Sequence, residues 1–124
     1  MRLTDRDRTL FGQAAFMALS GENRVRVGAV LSKGRTVLAE AHNKARNPAE
    51  NVDKGQCTYH AERQVLRGHE HRFRCTLYVA RLGVTGRLLP SMPCPDCMLH
   101  IKDGTAVSKL VFLNEHRELE KVRL

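Results

Sequence analysis

Apolar positions near the start of the chain recur at helical spacing. Leu3, Leu10, Ala14 and Met17, with Phe11 and Ala18, share one face; Thr4 stands before them as an N-cap, with Asp5 and Asp7 in the first turn. Ser20-Gly21 stops this helix. The pattern then changes to period two. "RVRVGAVLS" (24–32) and "RTVLAEAH" (35–42) read as strands joined at Lys33-Gly34, a hairpin. A polar stretch, "NKARNPAENVDKGQC" (43–57), reads as a loop, long enough to suggest a functional one. "HAERQVLRG" reads as a short helix ending at Gly68, "CTLYVARL" (75–82) as a strand, and 83–92 as a loop. "CPDCMLHIKDG" reads as a helix with Pro95 near its first position and Gly104 as its stop. "SKLVFLN" (108–114) reads as a strand, and the tail "EHRELEKVRL" as a further helix. The order α-β-β-α-β-α-β predicts an α/β domain, one sheet with helices packed on its faces.

Composition narrows this picture. The 124 residues are the size of a single domain, 1–124, and 42% hydrophobic with 27% charged residues is ordinary for a globular protein. No apolar run approaches the roughly 20 residues that span a bilayer, so no membrane partner is expected. The charged N-terminus "MRLTDRDRTLF" lacks the apolar core of a signal peptide, which predicts a cytoplasmic protein with reduced thiols. Cys57, Cys75, Cys94 and Cys97 are then metal ligands or core residues rather than disulfides. Cys57 reads as a small buried residue, with a second metal as the alternative, and Cys75 as core. A net charge of +8 keeps nucleic acid or a phosphorylated substrate open as a partner. The basic residues are scattered, however, and the absence of Trp argues against a broad base-stacking surface.

Two short segments carry the candidate chemistry. "PSMPCPDCMLH" (90–100) holds Cys94 and Cys97 three apart, on one face of a helix start, where both thiolates reach one metal ion. "HAE" (60–62) opens the other short helix, and His60 supplies a third ligand. Three protein ligands with one open position describe a catalytic Zn2+ site, at which the pKa of a bound water falls to about 7. Glu62 sits close enough to shuttle protons without ligating. His-x-Glu followed by Pro-Cys-x-x-Cys is the general signature of zinc-dependent nucleobase deaminases.

At these residues the chain resembles the cytidine deaminase-like superfamily, and within it the deoxycytidylate (dCMP) deaminase branch. The resemblance runs from Val25 to Leu113 through "VGAVLSKGRTVLAEAHNK", "HAERQVL", "LYVARL" and "PCPDC". It implies a three-layer α-β-α fold with a mixed five-stranded sheet. It also implies a hydrolytic reaction in which water attacks the ring carbon bearing the amine and ammonia leaves. By the same resemblance His60, Cys94 and Cys97 are the zinc ligands and Glu62 the proton shuttle. Asn43 contacts the sugar, and the backbone N–H of Ala61 the base carbonyl. Val27, Gly28 and Ala29 line the base pocket, with Pro93 beside it. The implied substrate is a small cytosine nucleotide or nucleoside, dCMP-like, and the implied assembly a homo-oligomer. Two departures stand out. "KARNP" follows Asn43 where dCMP deaminases carry a Gly-x-Pro-Arg-Gly-like stretch, which leaves the phosphate contacts open. Ser91-Met92 precede the Pro-Cys pair where tRNA adenosine deaminases carry Glu. The alternatives are a deaminase of cytosine in single-stranded DNA or of a base in RNA, and a non-catalytic zinc module with a fourth protein ligand.

Overall fold

In a computed structural model of the chain, the described residues are 2–21, 25–45, 58–59, 65–66, 74–93, 98, 101 and 107–124. Helix α1 spans Asp5–Ala18. Its start is a capping box: the Asp7 N–H donates to Thr4 Oγ1 at 3.1 Å and the Thr4 N–H to Asp7 Oδ2 at 2.9 Å, so two otherwise orphaned donors are satisfied. The strands are β1 (Arg26–Lys33), β2 (Thr36–His42), β3 (Lys44–Ala45), β4 (Thr58–Tyr59), β5 (Cys75–Leu82), β6 (Leu88–Leu89), β7 (Val107–Leu113) and β8 (Leu119–Arg123). The main sheet runs β2-β1-β5-β7-β8, with β6 added to β5. It is mixed: β5 and β7 are parallel and the other pairs antiparallel. β3 and β4 form a separate two-stranded pair, inside and just after the stretch read as a loop.

Period two sorts the strand residues onto two faces. Val30, Tyr78, Ala80, Val111 and Leu113 meet Leu10, Phe11 and Ala14 of α1. Ala29, Leu31, Leu77, Val79, Leu110 and Phe112 meet Val65, Leu66 and Ile101, with Met98 packed beside them. These last four residues are helical. Helical residues therefore cover both faces, the α-β-α layering that the element order predicts. Each fully buried Leu or Val contributes roughly 1.5–3 kcal/mol relative to exposure, so both layers are held chiefly by apolar burial. Cys75 is fully buried in the second cluster, as a core cysteine should be.

The tail corrects the sequence expectation. Residues 119–123 form β8, antiparallel to β7 from Lys109↔Arg123 to Leu113↔Leu119. The turn before it is fixed by Asn114, whose Oδ1 accepts the N–H groups of His116 at 2.9 Å and Glu118 at 3.0 Å. Glu, Leu, Lys and Arg are good helix formers, but tertiary pairing overrides that weak preference. Leu119 packs on the α1 face and Val122 and Leu124 on the other, a strand distribution.

A polar lock crosses the α1 layer. Asp7 is 4% exposed. It accepts the Tyr78 hydroxyl at 2.7 Å and pairs with Lys121 Nζ at 2.8 Å, tying α1 to β5 and β8. Burial alone would raise the Asp7 carboxyl, but Lys121, the Thr4 N–H and the Tyr78 hydroxyl outweigh it and hold it at about 2. Burial, and then the Asp7 carboxylate, push the Tyr78 phenol above its ordinary range.

Candidate active site

The residues expected to carry the chemistry, His60, Ala61, Glu62, Cys94 and Cys97, lie outside the described residues, as does Cys57. What the structure describes is their mounting. Val65 and Leu66, three and four positions after Glu62, are 1% and 2% exposed. Met98 follows Cys97 directly, and Ile101, three further on, is 1% exposed. All four rest on one cluster, on the face opposite α1. Thus the two segments that bear the candidate ligands continue into helical residues seated side by side on the same sheet.

The rim of that face lies where β1 begins, β2 ends and β5 finishes, since Gly28 pairs with His42 and Arg26 with Leu82. Asn43 sits there, 5% exposed. Its Oδ1 accepts the Val27 N–H at 2.9 Å, its Nδ2 donates to the Val25 carbonyl at 3.0 Å, and its own N–H donates to the Val27 carbonyl at 3.0 Å. The carboxamide is held at both ends by backbone groups, one in β1 and one just before it, so its orientation is fixed. Gly21 closes over it: a Cβ there would lie 2.5 Å from Asn43 Oδ1. His42 Nδ1 lies 3.1 Å from the Asn43 carbonyl oxygen.

Of the β1 positions, Val27 and Ala29 pack with the cluster under Val65 and Ile101. Gly28 turns the other way. A Cβ on it would strike the Ala14 carbonyl oxygen and the Ala18 nitrogen, so this glycine is what lets α1 approach the sheet. Pro93 is buried, while Met92 beside it is 61% exposed.

Sequence reasoning passed over Ser91 as a structural element. The parallel register of β5 and β7 runs from Cys75↔Val107 to Tyr78↔Val111. Past it, Ser91 joins the strands: Oγ donates to the Val79 carbonyl at 2.7 Å and accepts the Leu113 N–H at 2.9 Å. The Ser91 N–H also donates to the Leu113 carbonyl at 2.9 Å. Its signal in the sequence is slight, a small polar residue between Pro90 and Pro93.

An imidazole and two thiolates, which His60, Cys94 and Cys97 would supply, form a donor set that suits zinc. Among the described residues there is no competing cluster of three or more His, Cys, Asp or Glu able to hold a metal ion. The family model for the cytidine and deoxycytidylate deaminase zinc-binding region matches residues 5–114. The chain belongs to this family. Zinc is accordingly its metal, and hydrolytic deamination of small nucleosides or nucleotides its class of chemistry. Among solved structures, a cytidine deaminase from Burkholderia pseudomallei shares the fold, with a TM-score of 0.64 over 98% of this chain and 93% of that one at 16% identity. A cytidine deaminase from Mycobacterium tuberculosis gives a TM-score of 0.60 over 98% and 91% at 26% identity. A comparison with proteins of curated function finds no match. Among the described residues, no helix of the deaminase is long and apolar enough to cross a membrane.

Proposed function

We propose that the chain, as one domain over residues 1–124, deaminates a free cytosine nucleotide or nucleoside, with dCMP-like compounds as the preferred class. The observation that carries this reading is the pairing of His-Ala-Glu at 60–62 with Pro-Cys-x-x-Cys at 93–97. Both segments lead into helical residues on a single apolar platform. His60, Cys94 and Cys97 hold the zinc. When bound, zinc supplies the acidity that activates a water near neutral pH. With zinc bound, Glu62 would carry the two protons of the attacking water, one to the ring N3 and one to the departing amine. In balance, the cytosine C4–NH2 bond breaks, a C4–O bond forms, and water and substrate become the uracil compound and ammonia. The Ala61 N–H meets the base carbonyl, and Val27, Ala29 and Pro93 wall the base. Asn43, held at both ends of its carboxamide, retains one Nδ2 proton to offer the sugar. The net charge of +8, with Lys44, Arg46 and Lys54 following Asn43 in sequence, supports a phosphorylated substrate. The enzyme works in the cytoplasm as a homo-oligomer.

The test is ammonia release from zinc-loaded protein on cytidine, deoxycytidine, CMP, dCMP, dCTP, adenosine, a single-stranded oligonucleotide and tRNA, with Glu62→Gln as the blank. Turnover on dCMP well above deoxycytidine supports the phosphate reading. Preference for cytidine retains the chemistry and removes the phosphate. Turnover confined to a polymer moves the positive charge to substrate recognition, with binding that falls steeply with salt. Zinc uptake with no turnover on any compound counts against the enzyme.

A further inference from the structure

We propose that Ser91 is a positioning residue for the stretch that leads into the metal-binding motif: its hydroxyl sets where Pro93, the residue before Cys94, stands on the sheet. This assignment rests on the zinc-deaminase reading above. It begins with a gap in the ladder. Beyond Tyr78↔Val111, the Val79 carbonyl and the Leu113 N–H are left without each other as β6 occupies the β5 edge at Arg81↔Leu89 and Leu82↔Leu88. One hydroxyl serves both groups, as donor to Val79 and acceptor from Leu113. A serine hydroxyl has a single proton, and here it is used. Ser91 is 3% exposed, so no solvent replaces these bonds if they are lost.

The link from this anchor to the thiolate is short and stiff. Ser91 points in, Met92 out at 61% exposure, and Pro93 in again, an extended alternation. Proline fixes its own φ near −65°, and the residue before a proline is pushed into extended conformations. Met92 and Pro93 thus have little freedom with which to absorb a shift of Ser91. A displacement at the hydroxyl therefore shifts Pro93, and a zinc site that takes its next ligand from the residue after that proline tolerates only a narrow geometry. Beyond Cys97 in sequence, Met98 and Ile101 rest on the sheet through apolar contacts, which are not directional. Direction ahead of the motif comes from Ser91.

The experiment compares zinc release to a chelator, well below the melting temperature, for wild type, Ser91→Ala, Ser91→Thr and Val111→Ala. Val111 is fully buried on the α1 face, so its truncation is a control for lost stability alone. Ser91→Ala should release zinc on the order of tenfold faster, the scale seen when outer supports of a metal site are removed. Ser91→Thr keeps the hydroxyl and should stay within about twofold of wild type, and Val111→Ala should match wild type despite a lower melting temperature. Equal release from Ser91→Ala and wild type, or equally fast release from Val111→Ala, would overturn the assignment. A second measurement needs no variant. By linkage, if the hydroxyl bond holds the metal segment, zinc must in turn protect that bond. Removing zinc from wild type should speed amide exchange at Leu113 while leaving Leu31, at the centre of β1, unchanged. A uniform change at both amides would sink the idea. Wild-type protein that takes up no zinc would end the deaminase reading itself, and is seen before any variant is compared.

Discussion

On the α1 face, a buried carboxylate, a phenol and an ammonium interlock three elements within a largely apolar layer, with the buried Ser32 hydroxyl beside the phenol. On the opposite face, Val65, Leu66, Met98 and Ile101 rest on aliphatic and aromatic side chains. The described helical residues that follow the two candidate motifs lie on the face without the directional lock, and their contacts there are apolar. Precision on the second face must therefore come from its rim. There, Asn43 clamps the start of β1 and Ser91 bridges the fork between β5 and β7. The lock makes the sheet a fixed reference, and the rim aligns the site to it.

The largest test of this division is Glu62→Gln. It should lower kcat by about a thousandfold, within the range for a lost acid–base group, while zinc content and melting temperature stay at wild-type values. An equal fall in melting temperature would place Glu62 in the scaffold. Next, Lys121→Ala leaves Asp7 buried without its cation and should cost about 3 kcal/mol in denaturant unfolding, with zinc stoichiometry in the folded fraction unchanged. Loss of zinc from folded protein would mean that the two faces are not independent. Gly28→Ala drives a methyl into the α1 backbone and should cost about 2 kcal/mol, read from the same unfolding curves. A neutral result would show that α1 can move away from the sheet.

Acid gives an effect of similar size, spread over a range of pH. The Asp7 carboxyl lies at about 2 in the folded chain against an ordinary value of 3.8, so folding favours the ionised form. Its contribution, about 2 kcal/mol, is complete above the unfolded value and fades as pH falls through the folded one. Unfolding midpoints should thus drop between about pH 4 and pH 2, and Asp7→Asn should flatten that part of the profile. An unchanged slope would remove Asp7 as the titrating group.

Much of this architecture is legible in the sequence because its causes are local. Thr4 announces α1 through a cap, alternation marks the start of β1, and short runs rich in apolar residues mark β2, β5 and β7. The site motif is equally plain, since metal chemistry needs particular donors at particular spacings. What escaped reading depends on distant partners. Asp7 looks like a first-turn acid until Lys121 and Tyr78 arrive from 114 and 71 residues away. The tail "EHRELEKVRL" has helical propensity and becomes a strand because β7 offers it an edge. Ser91 acquires its role only where two strands part, which no neighbouring residue records. Asn43 was read for the sugar, and the structure adds its clamp on Val25 and Val27.

The Asp7–Lys121 contact also sets a clock. Its partners are separated by 114 residues, and a chain synthesised at about 5–20 residues per second leaves Asp7 waiting roughly ten seconds for its cation. Until then α1 can lie on a growing sheet through Leu10, Phe11 and Ala14, but its first turn must keep its carboxylate in water. During synthesis, the first turn of α1 settles only after β8 has been made.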